Sequence, residues 1–219
     1  MSVPMRHESF GFPASLAGDD TGLSGRAKAE GIGLVAGTRV ATPGGYVAVE
    51  RLAVGDRVLT QDGHQASLVW VGLSCMPGKG AFAPVRIETG AMDNMRPVRL
   101  GQGHLLRVAG WQAELLFEAE AVFATARSLV DGARVTIDDS AESVIYIHLM
   151  LEHHGIILAE NLACETLRPG PDAALMLAAL AAEAEYFEHA PLPISGQIEG
   201  CMSALPVLSG DEARVLKVA

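Results

Sequence analysis

Short apolar stretches separated by turn signals dominate the first third of this sequence, at intervals of roughly ten residues. Thr42-Pro43-Gly44-Gly45 is a turn signal, and segment 46–50 alternates between apolar and polar residues with a period of two. Asp62-Gly63 is a tight-turn dipeptide between the strand-like segments 57–60 and 66–73. A period of two places alternate side chains on opposite faces of a strand. The pattern therefore predicts an all-β domain.

The later sequence adds three predicted elements. Apolar residues 144–151 and 156–159, joined by 152–155, predict a hairpin. Segment 119–129 predicts a short helix between strands, and segment 172–188, rich in Ala, Leu and Glu, predicts a longer one. A stripe on the longer helix is expected to dock on the β domain. Its members are Leu175, Leu180, Ala184 and Phe187.

Composition sets the boundaries of the chain's organisation. Its 219 residues are enough for one substantial core. Residues 1–31 are rich in Gly, Ala, Ser, Pro and charge, so we expect a flexible N-terminal arm there. The β domain is expected over 32–170, with the C-terminal helix and tail over 171–219 packed against it.

Charge and hydropathy exclude two classes of partner. Sixteen basic against 26 acidic residues give a net charge of −10, which disfavours binding to a phosphate backbone. No apolar run approaches the length of about 18 residues that crosses a bilayer, so we expect no membrane span. The first residues lack the apolar stretch of a secretory signal. We therefore expect a cytoplasmic location. Export by a route that needs no secretory signal is the open alternative.

The three cysteines give no recognisable site. Cys75, Cys164 and Cys201 are widely spaced and form no CxxC pair, so neither a zinc ribbon nor a redox dithiol is indicated. We expect Cys75 in a loop as a bystander thiol, Cys164 half-buried in a strand, and Cys201 in a loose tail.

Three separated blocks resemble the Hint domain family, the fold shared by the Hedgehog autoprocessing domain and inteins, in its bacterial branch. The first block is GTRVATPGGYVAVERLAVGDRVLTQDG, from Gly37 to Gly63. The second is FAPVRIETGAMDNMRPVRLGQGHLLRV, from Phe82 to Val108, and the third is IYIHLMLEHHGIILAENLACETLRPG, from Ile145 to Gly170. The resemblance implies a β disk of two pseudo-symmetric halves, with the C-terminal helix packed outside.

The resemblance also implies a self-processing chemistry. In active members a Cys, or sometimes a Ser, attacks the carbonyl carbon that precedes it, and the peptide bond becomes an ester or thioester. A Thr and, three residues later, a His in the second block polarise and protonate the departing amide. In this sequence the nucleophile position falls on Gly33 and the Thr position on Gly101, and only His104 is retained. We therefore predict a processing-inactive Hint domain that acts as a binding or structural module, with an unidentified protein partner and no cofactor.

Two alternatives stay open. Asn161 lies near the point where inteins cyclise an Asn, so residual self-processing with Asn161 or a non-standard nucleophile is the alternative function; as a structural residue, Asn161 is expected in a turn. His148 and His154, with the neighbouring His153 and Glu152, form a weak candidate metal set. Hydrogen bonding within the fold is the simpler role for these histidines, so no metal is predicted.

Overall fold

The computed structural model describes residues 31–168, 171–189 and 205–216. Within these ranges the strands are β1 Leu34–Val35, β2 Arg39–Thr42, β3 Gly45–Ala48, β4 Arg57–Leu59, β5 Gln65–Pro77, β6 Val85–Ile87, β7 Val98–Leu100, β8 Leu105–Ala109, β9 Ala121–Thr125, β10 Val135–Ile137, β11 Ser143–Leu151, β12 Ile156–Ala159, β13 Leu162–Glu165 and β14 Tyr186–His189. The α-helices are α1 Trp111–Phe117, α2 Pro171–Glu183 and α3 Gly210–Ala213, and 3-10 helices cover Val49–Arg51, Gly80–Phe82 and Ala126–Leu129. The predicted all-β fold class is confirmed. None of the helices in these ranges is long and apolar enough to cross a membrane.

The strands form two antiparallel sheets. One has the order β10-β6-β7-β1-β11-β5-β14, with β4 also paired to β5, and the other has the order β3-β2-β12-β13-β8-β9. The short strand β1 lies between β7 and β11, because Leu34 pairs with both Leu100 and Ile147. This pairing brings the residues just before β1 next to the end of β7 and the middle of β11.

The core consists of two clusters that follow from the alternating pattern. From Leu68 onward every other residue of β5 is buried, including Trp70 and Met76. The larger cluster gathers aliphatic side chains from both sheets, and a second cluster forms around Trp70 and Tyr146. Leu180, Ala184 and Phe187 of the predicted stripe belong to this second cluster, whereas the side chain of Leu175 lies outside the described part. Burial of each large aliphatic side chain contributes about 1.5–3 kcal/mol.

The predicted hairpin of residues 144–151 and 156–159 is wrong. These segments form β11 and β12, but β11 pairs with β5 and β1, whereas β12 pairs with β13 and β2 in the other sheet. Residues 146–151 are all buried, so β11 is a central strand covered on both faces. Two neighbouring apolar runs do not reveal which sheet each one joins.

The helix predicted over 119–129 is also wrong. That segment forms β9 and a 3-10 helix, and the α-helix lies earlier, at Trp111–Phe117. The helix begins after Gly110, at φ +117°, and ends at Glu118, at φ +52°. Residues 121–124 are all buried and pair with β8, so tertiary burial makes them a strand.

The C-terminal helix is shorter than predicted, because it ends at Glu183 and residues Tyr186–His189 form β14 at the edge of β5. The N–H of Glu185 donates to the carbonyl of Cys75 at 2.8 Å. This added strand supplies partners for backbone groups that an open edge leaves unpaired. Cys75 therefore lies inside β5, paired on both edges, and its predicted position in a loop is wrong.

Two other predictions concern the remaining cysteines and the arm. Cys164 lies in β13 and is completely buried, more deeply than expected, and burial raises the pKa of its thiol. Cys201 and residues 1–30 of the proposed arm lie outside the described residues. The division of the chain at 31 and 170 stays a prediction.

Candidate functional site

Three positions singled out in the sequence meet at the start of β1. The backbone N–H of Gly33 donates to Nδ1 of His104 at 3.2 Å, and the N–H of Gly101 donates to the carbonyl of Gly33 at 3.0 Å. These contacts follow from the sheet order, because β1 pairs with β7 and residues 101–103 continue that antiparallel pairing beside residues 31–33. The structure thus brings Gly33, Gly101 and His104 together.

Gly33 occupies a position that a larger residue does not fit. Its φ is +99°, a backbone conformation that L side chains rarely adopt. A Cβ atom placed there would lie 2.8 Å from the carbonyl oxygen of Ile147 and 2.9 Å from Nδ1 of His148. The space that a nucleophilic side chain would need at this position is already filled by β11.

Gly101 is equally crowded, but by the chain that precedes Gly33. A Cβ atom at position 101 would lie 2.2 Å from the carbonyl oxygen of Gly31. Gly31 is held there because its carbonyl accepts from the N–H of Gly103 at 2.9 Å and its own N–H donates to the carbonyl of Ala81 at 3.2 Å. The incoming backbone therefore occupies the place of the missing Thr side chain.

His104 is a neutral hydrogen-bond acceptor toward Gly33. Its Nδ1 accepts the Gly33 N–H, so the single proton of the neutral ring lies on Nε2. Burial lowers the pKa of His104 to about 4, although the negative charge of Glu165 acts in the opposite direction. Nε2 has less than 1 Å² of accessible surface and no hydrogen-bond partner among the described residues.

His148 is a site neighbour that the sequence suggested only as a weak metal ligand. It lies in β11 opposite Gly72 and is 2% exposed. Its Nε2 lies 2.9 Å from the Oγ of Ser74, while its Nδ1 faces Gly33. Burial, with a smaller effect of His104, lowers its pKa to about 3. The ring is therefore neutral, and it lies between the Ser74 hydroxyl and Gly33.

Gly72 is a sequence signal for the surroundings of His148 that the sequence analysis missed. A Cβ atom there would lie 2.3 Å from the Trp70 ring, so only glycine fits within β5 opposite His148. A glycine inside an otherwise regular strand indicates close approach of another group, and this one marks the strand that supports His148.

The other histidines of the candidate metal set have different surroundings. His154 Nε2 lies 2.8 Å from the carboxylate of Glu165, whereas Glu152 accepts from the backbone N–H of Ser67 at 3.2 Å. Within the described ranges, no group of three or more His, Cys, Asp or Glu side chains is arranged to hold a metal ion.

Asn161 lies in a tight turn and not with His104. It follows Glu160 between β12 and β13, and φ is +48° at Glu160 and +75° at Asn161. Its side-chain N–H donates to the carbonyl of Asp93 at 2.9 Å. The predicted turn position of Asn161 is thus what the structure has.

A cavity of about 280 Å³ opens beside Gly33. Its polar walls are His104, His148 and an ion pair in which Arg168 donates to the carboxylate of Glu165 at 2.9 Å. Burial acts to raise the pKa of Glu165, but His154 and Arg168 outweigh it and hold that pKa below its ordinary value. The other walls are mostly aliphatic, including Leu105 and Ile157. Neither Glu165 nor Arg168 was singled out in the sequence.

Comparison with protein-family models matches residues 32–171 to the Hint domain. The chain belongs to the Hint domain family. The matched range contains all of the Gly33, Gly101 and His104 site, and it ends where α2 begins. The resemblance inferred from the three sequence blocks is confirmed.

Solved structures similar to this Hint domain protein include inteins. The MchDnaB-1 intein has 20% sequence identity and a TM-score of 0.40, and the match covers 61% of this chain and 98% of that one. The Msm DnaB1 intein splicing domain bound with zinc has 20% identity and a TM-score of 0.37, with the same coverages of 61% and 98%. A bacterial intein-like domain from Clostridium thermocellum has 14% identity and a TM-score of 0.39, covering 62% of this chain and 98% of its own. Comparison with curated protein sequences gave no match.

Proposed function

We propose that this protein is a processing-inactive Hint domain that acts as a binding or structural module. The observation that carries the proposal is Gly33, which has no side chain and whose Cβ position is blocked by Ile147 and His148. An acyl shift needs a thiol or hydroxyl on residue 33 to attack the carbonyl carbon of residue 32. Without that group no ester or thioester forms, and the peptide bond stays intact.

The state of His104 supports the same proposal. Protonation of a departing amide nitrogen requires a donor, but Nδ1 of His104 carries no proton and accepts the Gly33 N–H. With a pKa of about 4, only about one molecule in a thousand carries the imidazolium at pH 7. The retained histidine thus contacts the amide nitrogen of Gly33 but carries no proton on the ring nitrogen that faces it.

Other nucleophiles near the site are poorly placed. The Ser74 hydroxyl lies on the far side of the His148 ring from Gly33. The Thr166 hydroxyl lines the cavity but donates to the carbonyl of Gly155 at 3.1 Å. Of the two cysteines in the described ranges, Cys75 and Cys164, neither lines this cavity.

One observation favours residual self-processing as the second candidate function. His104 still contacts the amide nitrogen of Gly33, which is the atom that would depart if the bond between Ile32 and Gly33 broke. In that case Thr166 is the hydroxyl in the cavity from which an attack would come.

Intact mass spectrometry of the freshly purified full chain separates the two functions. We expect a single species at 23.0 kDa, unchanged after incubation with a thiol or hydroxylamine. A fragment that begins at Gly33 and disappears in the Thr166→Val or His104→Ala variant would overturn the proposal. Cyclisation of Asn161 would instead give a fragment that begins at Leu162, and this fragment would disappear in the Asn161→Ala variant.

A further inference from the structure

The cavity beside Gly33 has the size and walls of a small-ligand site. Its volume of about 280 Å³ is the volume that about nine water molecules occupy in the liquid. It therefore has room for a ligand of about six to nine non-hydrogen atoms. Leu105, Ile147, Leu149 and Ile157 are among its aliphatic walls. An occupant that covers these walls with branched carbon removes apolar surface from water, which favours binding.

The cavity wall also contains a hydrogen-bond donor that needs an acceptor. The Nε2–H of His104 is buried and unpaired among the described residues, and an unmade hydrogen bond at a buried donor costs free energy. His104 itself lines the cavity, so a bound molecule is well placed to supply the acceptor. Side-chain adjustments on binding are common, and the half-buried side chain of Leu105, next to His104, is the one that we expect to move.

The charges around the cavity disfavour a charged occupant. Both imidazoles are neutral, and the carboxylate of Glu165 is paired with Arg168 and His154. A carboxylate ligand would lose its hydration among aliphatic side chains, and the Arg168 guanidinium in the wall is already paired with Glu165. An ammonium ligand would meet the positive end of the His104 N–H bond.

We propose that this cavity binds a small uncharged molecule that joins a branched aliphatic group to an amide or carbonyl group, whose oxygen accepts the Nε2–H of His104. An amide adds an N–H that fits the Glu165 carboxylate in the cavity wall. This inference rests on the proposed function as a binding module and names the class of ligand. The lost self-processing chemistry leaves the cavity free for such a role.

The probe that tests the proposal is isovaleramide, compared with isovalerate and isopentylamine, which share its branched carbon skeleton. The full chain is labelled with 15N and titrated, and the backbone amide of Gly33 is followed by NMR. We expect saturable shifts of this amide with isovaleramide at concentrations up to about 20 mM, and binding about tenfold weaker for the two charged analogues.

Two variants locate the site. His104→Phe keeps an aromatic ring but removes the donor, and we expect binding to weaken about tenfold or to vanish. Leu105→Phe keeps His104 and fills the cavity, so it is expected to abolish binding by a different route. His64→Phe makes the same chemical change at an exposed histidine outside the cavity and is expected to leave binding unchanged.

The outcomes are distinguishable. No shift with isovaleramide, equal binding of isovalerate, or full affinity in His104→Phe each overturns the ligand proposal. None of these results affects the single 23.0 kDa species that the processing-inactive proposal expects. Conversely, self-cleavage of the chain overturns the proposed function even if isovaleramide binds.

Discussion

Gly33 and His104 are 71 residues apart in sequence, and the N–H of Gly33 donates to the imidazole Nδ1 of His104 at 3.2 Å. This hydrogen bond fixes the proton of His104 on Nε2 and ties the start of β1 to the start of β8. It also marks where the family chemistry is missing, because the donor residue carries no side chain.

The crowding at Gly33 predicts a larger cost for Gly33→Ala than for Gly37→Ala. Both glycines have positive φ values, +99° and +92°, but a Cβ atom at Gly37 meets nothing within 4 Å. Gly37→Ala is expected to cost about 1–2 kcal/mol of backbone strain. Gly33→Ala is expected to cost a further 1–3 kcal/mol, roughly, from the contacts with Ile147 and His148. Urea unfolding of both variants measures the difference, and equal losses would contradict the blocked Cβ position.

Restoring the family residues is not expected to restore processing. In a Gly33→Cys, Gly101→Thr double variant, the new Thr side chain meets the carbonyl of Gly31 at a Cβ distance of 2.2 Å. The backbone must therefore shift before the groups align, and productive geometry tolerates only about 0.5 Å of error. With a passenger protein fused upstream, we expect no release on thiol treatment, scored by gel and intact mass. Efficient release would show that the site is intact apart from two side chains.

The two buried imidazoles predict a loss of stability in mild acid. The folded-state pKa values of about 4 for His104 and about 3 for His148 lie below the ordinary value of 6.5, so the unfolded chain binds these protons first as the pH falls. Their contribution is complete above pH ~6.5 and decreases toward the folded pKa values, with a slope of about 1.4 kcal/mol per pH unit for each histidine.

The check is urea unfolding at several pH values between about 6.5 and 4. His148→Gln is expected to lower this slope by up to about 1.4 kcal/mol per pH unit. The remaining slope comes from His104 and from carboxylates such as that of Glu165, whose pKa is also below its ordinary value. An unchanged slope in His148→Gln would mean that His148 is not held neutral by burial.

A bidentate ion pair predicts a large effect of a conservative substitution. Arg39 donates to both carboxylate oxygens of Glu160 at 2.7 Å, and the Glu160 side chain is 3% exposed. Burial acts to raise the pKa of Glu160, but Arg39 outweighs it and holds that pKa below its ordinary value. Glu160→Gln leaves Arg39 without a counter-charge and is expected to cost about 2–4 kcal/mol.

The exposed pair of Asp211 and Arg214 is the matched control. Asp211→Asn is expected to change the free energy of unfolding by less than about 0.5 kcal/mol, because exposed pairs contribute little. Similar losses in Glu160→Gln and Asp211→Asn would show that burial does not strengthen the pair.

The turn conformation of Asn161 distinguishes a structural from a chemical role. At φ +75°, Asn161→Gly is expected to be nearly neutral, because it loses one hydrogen bond to Asp93 but relieves backbone strain. Asn161→Ala loses the same bond and keeps the strain, for a cost of about 1 kcal/mol. Thermal unfolding gives the order of the two variants. A cleavage fragment that forms from the parent chain and is absent from both variants would instead indicate a chemical role.

Much of the fold was predictable, because period-two alternation and turn residues act locally. The turns after Thr42 and at Asp62-Gly63 are where the sequence put them, and they join β2 to β3 and β4 to β5. The failures concern segments whose partners are far away. Residues 121–124 form strand β9 and not a helix because they pair with β8. Residues 186–189 form β14 and not the end of the predicted helix because they pair with the edge of β5.

What the site lacks follows from the amino-acid sequence alone, since the absence of side chains at Gly33 and Gly101 is a covalent fact that no folding alters. The period-two alternation and the turn residues in the first third of the chain also follow from the sequence. Three other features arise from the folded chain: the carbonyl of Gly31 fills the space at Gly101, His148 faces Gly33, and His104 carries its proton on Nε2. These features depend on pairing between strands distant in the chain, which is set by the burial and hydrogen bonding of the whole sheet and not by any local pattern.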